Sequence, residues 1–427
     1  MKIAVHKIYL TFIFAVFLLL HYSCSKVTGP ISMKYTKAEA IYGDLDSIRN
    51  VALLEEFKPI DVPVGHFIGK DFILIGERGL GIHVYDNTNF SAPKNTAFLR
   101  IPFCKEYYID GDYLYAESGY DLLKINIKDF RNPFISYRLK NAFAEAMFDD
   151  KGRVLLGFIY NTATDYFEAG SPEALEIKKQ GKLHIDYNGK MIPLSTVPTM
   201  FAGNNGKSKG TINRIGTYYN HVYIVGKDKL HIFSSEGENM TKHSPVSIED
   251  ASETVYIDKN RLYIGSESAV TIYLLNNLSS PSKASKIDHL TSCDPVLADG
   301  DIAYSTLRSQ SNEGCDGTEN VLIVIDVTKS KNASEVKTLE LESPYGMTLV
   351  NNVLIVGEGT NGLSFFNVKD RKSPEFKVRN KDIVAYDVMV HPVDNEIIIV
   401  TNRLGIKEYR INWNTLALTQ LGSISYK

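Results

Sequence analysis

One pattern recurs along the chain and constrains it more than any other feature. In residues 106–133, EYYIDGDYLYAESGYDLLKINIKDFRNP, a short apolar run from Tyr107 meets the tight-turn signal Asp110-Gly111-Asp112. A β-rich run from Tyr113 to Ala116 follows and is closed by Gly119. Leu122, Leu123, Ile125 and Ile127 alternate as a third strand that Asn132-Pro133 breaks off, and Phe134 to Leu139 supplies a fourth. Four antiparallel strands in about 40 residues make one blade of a β-propeller.

The turn serves as a ruler. It returns at Lys70-Asp71, Gly111-Asp112, Lys151-Gly152, Asn220-His221, Lys259-Asn260, Gly300-Asp301, Asn351-Asn352 and Asp394-Asn395. Most intervals are close to one blade, and two are longer, marking insertions near 158–193 and 308–318. The count predicts an all-β chain of about eight four-stranded blades, with seven as the alternative. No helical period competes. Strands this short bury both faces only by stacking blade on blade, and ring closure removes their open edges.

A chain of 427 residues, 44% hydrophobic, 11% aromatic and 23% charged, has ample material for a core. Its net charge of −3, with Lys and Arg scattered, excludes nucleic acid as the expected partner. The N-terminus differs. Lys2 and Lys7 precede an uncharged run from Ile8 to Leu20, the layout of a secretory signal over residues 1–23. Ser23-Cys24 at its end resembles the lipobox of bacterial lipoproteins, which implies lipidation at Cys24. Leu20 stands one place further from the cysteine than the usual leucine, and the alternative is a plain secreted protein or an uncleaved anchor. Residues 24–61 read as a tether with a capping strand or short helix near Val51 to Phe57, and 62–427 as the propeller. Export makes disulfides possible, and Cys293 and Cys315, flanking one hairpin and its added loop, are the expected pair. Cys104 is then a small buried apolar residue.

Third strands followed by Asp or Asn and then Pro or Ala, as in IHVYDNTNFSAP (82–93), LLKINIKDFRNP (122–133), LIVIDVTKSKNA (322–333) and LSFFNVKDRKSP (363–374), resemble the LVIVD repeat. Across residues 33–426 the chain resembles the LVIVD-repeat lipoproteins of bacterial cell envelopes, including SCDPVLADGDIAYSTLR at 292–308, and matches poorly over 158–211. That resemblance implies an extracytoplasmic, lipid-anchored β-propeller, with the outer membrane as its expected address and no assigned biochemical role.

Aligning the units places acids at the opening of the innermost strand in five of the eight: Glu106, Glu145, Glu253, Asp294 and Asp387, with Tyr345 in the corresponding place of the seventh. Carboxylates ringing a channel mouth must recruit a cation, share protons or accept hydrogen bonds from neighbouring strands, and the last is the ordinary outcome. Tyr160, Tyr166 and Phe167, beside Asp165 and Glu168, make the first insertion a second candidate surface, since rigid scaffolds carry binding groups on their loops. No HExxH, G-x-S-x-G or Walker loop occurs, and Gly76, Gly79 and Gly81 read as turn glycines. His184 and Asp186 share a strand face but fall short of a metal site, and Asp110-Gly-Asp112 and Asp299-Gly-Asp301 read as turns rather than calcium loops. No cofactor, metal or catalytic residue is expected. The function expected is binding of a protein or glycan at the cell envelope; the alternatives are a polysaccharide hydrolase or lyase and a structural envelope subunit.

Overall fold

The structure is a computed structural model that describes residues 29–193, 214–226, 228–249, 252–266, 268–288, 295–309 and 319–426. The chain divides into two units, one of residues 1–43 and 148–197, the other of residues 44–147 and 198–427.

The smaller unit is one three-stranded sheet with a helix. Strand β1 (Pro30–Gly43) lies between β11 (Val154–Glu168), antiparallel over its whole length, and β12 (Lys182–Ile185), parallel. Helix α2 (Pro172–Gln180) joins β11 to β12. Ser171 caps it by accepting from the Ala174 N–H at 3.1 Å, Pro172 occupies its first turn, and Gly181 ends it in the left-handed region at φ 64°. Tyr35, Ile177, Leu183 and Ile185 form its core. Residues 30–43, read from sequence as part of a tether, are therefore the central strand of a sheet.

The larger unit holds seven four-stranded antiparallel sheets, two of them with an added short strand. Blade 1 is β3 (Pro63–Ile68), β4 (Phe72–Glu77), β5 (Gly81–Asp86) and β6 (Lys94–Arg100), and β2 (Leu54–Glu55) adds to its outer edge. Before β2 stands the short helix α1 (Leu45–Arg49). Blade 2 is β7 (Tyr107–Asp110) to β10 (Phe134–Leu139), and blade 3 is β13 (Ile215–Tyr218) to β17 (Val246–Ser247). Blades 4 to 7 begin at β18 (Ser252–Asp258), β22 (Val296–Asp299), β26 (Met347–Val350) and β30 (Asp387–Val390), and β33 (Ala417–Ser425) ends the last. The eighth unit counted from sequence is thereby corrected. Its hairpin at Lys151-Gly152 forms, but the strand that follows runs for 15 residues along β1 instead of folding back as a blade.

Packing closes the seven sheets into a ring. Each adjacent pair shares one apolar core: blades 1 and 2 around Leu74 and Leu123, 2 and 3 around Leu122 and Phe233, 3 and 4 around Tyr223 and Leu262. The series continues around Tyr263 and Ile323, Tyr304 and Phe366, and Phe365 and Ile398. The seventh core unites blade 7 with blade 1 through Ile397, Ile399, Ile73 and Ile75. Every sheet is thus apolar on both faces, and each buried Ile, Leu or Phe contributes about 1.5–3 kcal/mol. First strands of successive blades approach one another (β7 with β13, β13 with β18, β18 with β22, β26 with β30) and so line the axis.

The repeat residues have visible work. Asn351 and Asn352 turn with φ of 50° and 61°, the left-handed pair that a two-residue hairpin requires. In blades 1, 2, 5 and 6 the Asp or Asn ending the third strand caps the next turn: Asp86, Asn126, Asp326 and Asn367 accept from the N–H two residues on, at 3.1, 3.0, 2.9 and 3.1 Å. In six blades a bulge interrupts pairing of the third and fourth strands, which adds twist to the outer edge.

Candidate binding face

In antiparallel blades the start of each first strand and the end of each second strand share one face, here the entry face. Among the described residues it carries the segment 140–147 that leaves blade 2 and, in blade 5, the end of the second strand and the start of the third, at Arg308 and Asn320. The opposite face carries the short turns just described.

Continuing the strand registers places Val64, Glu106, Arg214, Thr254, Pro295, Gly346 and Asp387 at equivalent entry positions. The predicted ring of five carboxylates is not assembled. Glu106 and Asp387 take their expected places. Glu145 lies in the connection after blade 2, where its carboxylate accepts from Asn141 Nδ2 at 3.0 Å, and Arg214 holds the blade 3 position instead. Glu253 lies in β18 one residue before the equivalent Thr254. Asp294, Cys24, Cys293 and Cys315 lie outside the described residues. Tyr345 precedes β26 and is buried, as is Cys104, a free thiol whose pKa burial raises.

Two groups of side chains converge on this face. At blades 2 and 3, Lys105, Glu106, Glu117 and Arg214 form a mixed-charge cluster. The Glu117 N–H donates to the Glu106 carbonyl at 3.0 Å. Burial pushes the Glu106 carboxyl up to about 8, opposed by the Arg214 charge and by an Arg214 backbone N–H, and reinforced by the charge of Glu117. Burial also raises Glu117, against the pull of Lys105 and Arg214. Lys105 is accessible to water, yet desolvation by the protein around it lowers its pKa. Burial by the surrounding protein is thus the leading influence on three of these four side chains.

At blades 5 to 7, the Arg308 guanidinium stacks 3.8 Å above the Tyr345 ring, Tyr345 meets Tyr386 edge to face at 4.7 Å, and Arg403 lies 5.1 Å from the Tyr386 ring. Beneath them Glu358 is fully buried and saturated with donors: the N–H groups of Glu342 at 2.6 Å and Ser343 at 3.4 Å, Ser364 Oγ, and Arg379 Nε at 3.1 Å and Nη2 at 2.8 Å. Glu77, the equivalent residue of blade 1, accepts from the N–H groups of Asp61 at 3.0 Å and Val62 at 2.6 Å and meets His83 Nε2 at 3.0 Å. These two acids hold the chain entering their blades, the ordinary role expected of entry-face carboxylates.

Side chains that look catalytic elsewhere have a simpler account. His221 Nδ1 meets Asn220 Oδ1 at 2.8 Å and its Nε2 meets Ser279 Oγ at 3.0 Å, the spacing of an orienter, base and nucleophile. At the corresponding place in the next seam Arg261 Nε donates to Ser330 Oγ at 2.8 Å, so this position ties blade to blade. Among the described residues no group of His, Cys, Asp and Glu has the arrangement of a metal site. The insertion aromatics lie on β11. Phe167 packs edge to face on Tyr35 at 5.5 Å, Tyr160 meets His184 at 6.5 Å, and Tyr166 is 75% exposed. Phe167 and Tyr160 thus serve the small sheet, and Tyr166 alone of the three is presented to solvent. His184 is buried against Phe158, and burial lowers its pKa to about 4. The sequence reading missed Lys105, Glu117 and Arg214. Glu117 stands one place before Ser118, the residue equivalent to Glu77 and Glu358, so the repeat does not foreshadow it, and Arg214 follows an irregular connection and is placed only by register.

Fold and site together define a seven-bladed β-propeller with a charged cluster on its entry face, and the chain adds a small sheet as a second unit. No family model and no curated protein matches the chain. Among solved structures it is similar to the periplasmic gluconolactonase PpgL of Pseudomonas aeruginosa, with 12% identity, TM-score 0.49, and coverage of 83% of this chain and 96% of that one. It is similar also to a protein from Lactobacillus plantarum (11%, TM-score 0.49, 85% and 96%) and to the Pan2 WD40 domain of Neurospora crassa (7%, TM-score 0.49, 80% and 86%). The propeller rests on the seven sheets and their seven shared cores rather than on these likenesses.

Proposed function

We propose that this chain is an exported, lipid-anchored propeller of the LVIVD-repeat kind that binds a protein or glycan at the bacterial cell envelope through its entry face. The observation that carries the reading is the cluster of Lys105, Glu106, Glu117 and Arg214, two cations and two carboxyls that the strand register brings together at the entry of blades 2 and 3 and that the surrounding protein desolvates. Desolvated polar groups make strong, directional contacts with a ligand, and a scaffold whose strands are fixed loses little entropy on binding. A glycan array, and capture from an envelope extract, compared between the native protein and K105A/R214A, tests it. Binding lost in the variant, with its fold intact by circular dichroism, is expected. Equal binding by both proteins sinks the entry-face reading.

A second reading, a polysaccharide hydrolase or lyase, is favoured by one observation: Glu106 and Glu117 are both raised and act on one another, so one can hold a proton while the other is charged. Under it, E106Q and E117Q each abolish turnover of an envelope polysaccharide without abolishing its binding.

A further inference from the structure

The seam between the last and first blades contains a buried carboxyl unlike the others. Glu408, on β32 (Gly405–Asn412), is 0% exposed, and its one hydrogen bond is to Asn87 Nδ2, which reaches Oε2 at 3.3 Å. Asn87 follows the third strand of blade 1 and is 1% exposed. Glu358, equally buried, gathers five donors including a guanidinium, whereas Glu408 has the one amide. Two oxygens of the pair, Glu408 Oε1 and Asn87 Oδ1, are buried with no partner. A buried carboxylate with a single neutral donor and an adjacent orphaned carbonyl is costly, and both defects disappear if one proton resides on Oε1 and is donated to Oδ1.

We propose that Glu408 is a protonated acid forming a reciprocal acid–amide pair with Asn87, and that this pair is a latch closing blade 7 onto blade 1 whose release by deprotonation loosens the ring. The location matters because this seam alone joins the two ends of the propeller chain. Beside the shared apolar core, its other ties among the described residues include His391 Nε2 to the Lys70 carbonyl at 2.8 Å and the tight approach of Gly422 to the Phe90 carbonyl. Ionisable groups on the surrounding elements are engaged elsewhere: Arg410 with Glu396, Asp86 with Arg131, and His391, whose Nδ1 accepts from the Asp394 N–H. Lys407 projects from the opposite face of β32. Further along the seam His66 and Asp387 stand 3.6 Å apart, and burial lowers His66 to about 4, so it stays neutral in the range concerned. Burial lifts Glu408 to about 7, with Asn87 the one opposing influence. The folded seam therefore holds a proton that the open chain gives up near pH 4.5, and the latch is complete in mild acid and lost as pH rises through 7.

Hydrogen exchange of the full chain, corrected for the intrinsic rate, reads seam opening in β4, β31 (Ile397–Asn402) and β32. Between pH 5 and pH 7 the opening constant is expected to rise in the native protein by up to about tenfold per pH unit and to level off above pH 7, and to stay flat throughout in E408Q, which mimics the protonated acid. Isotope-edited infrared at pH 6 should show a protonated carboxyl band that E408Q lacks. The same pH dependence in E408Q as in the native protein, or a carboxylate at pH 6, overturns the latch. Glu106 also holds a proton at pH 6, so if E408Q does not fold the comparison is made in an E106Q background, where N87A, which removes the amide partner, should shift the remaining protonated carboxyl band; an unshifted band overturns the latch.

Discussion

Asp121 grips Arg49 with both oxygens, Oδ2 on Nε at 2.8 Å and Oδ1 on Nη2 at 2.7 Å. The acid opens the third strand of blade 2 and is 1% exposed; the arginine ends α1, 72 residues earlier. Arg138 Nη1 donates to the same carboxylate at 3.2 Å, and the Asn141 N–H at 3.1 Å. This one side chain therefore fastens the segment before blade 1 to the edge of blade 2.

Removing it leaves two guanidiniums without their shared anion. D121A is expected to cost about 3 kcal/mol of unfolding free energy, measured by urea titration of the native protein and variant. A loss below about 1 kcal/mol would show that water replaces the carboxylate without penalty.

Glu358 offers a sharper comparison with Glu408. E358Q replaces an acceptor that satisfies five donors with an amide that must turn one donor of its own toward them, so a loss of about 2–4 kcal/mol is expected. E408Q, by contrast, should leave stability almost unchanged near pH 4.5 and raise it toward neutral pH, where the native acid keeps its proton against the solvent. Equal costs for the two would refute the assignment of opposite protonation states.

Gly422 approaches the Phe90 carbonyl so closely that an added Cβ would stand 2.0 Å from the oxygen. G422A should force blades 1 and 7 apart at a cost of about 1–3 kcal/mol, seen as a lower urea midpoint. An unaltered midpoint would mean that the seam yields freely.

Glu106, held at about 8 by burial, binds its proton in the folded protein well above the pH at which it is lost in the unfolded chain. Its contribution is therefore full below about pH 4.5 and lost as pH rises through 8. E106Q should flatten the fall in stability between pH 6 and 9, measured as melting temperature against pH. An unchanged profile would place the titration on another group.

Anchor and disulfide have direct readouts. Palmitate labelling in a bacterial host should be abolished by C24S, and peptide mass mapping without reductant should join the peptides of Cys293 and Cys315. Labelled C24S, or two free thiols, would reject the respective assignment.

Much of the ring was legible because its signals are local. A two-residue turn, alternating apolar residues and an Asx cap lie within a few positions of one another, so blades appear as repeats in one dimension. The error over residues 148–193 has the same origin. Lys151-Gly152 is a true hairpin turn, but whether Val154–Glu168 joins a blade depends on a partner strand, Pro30–Gly43, more than a hundred residues earlier. Helix α2 was overlooked although Ser171, Pro172 and Gly181 bracket it, because nine residues hold too few turns to show a period.

By itself the sequence determined that the chain is built of short antiparallel sheets, where their turns fall, and that its termini differ in character. Tertiary structure decided that the blades number seven, that Arg214 rather than Glu145 stands beside Glu106, and that Glu408 meets Asn87. The division follows from range: turns and strand periods are set by neighbours in the chain, whereas ring closure and the protonation of a buried acid depend on groups brought together across as many as 321 residues.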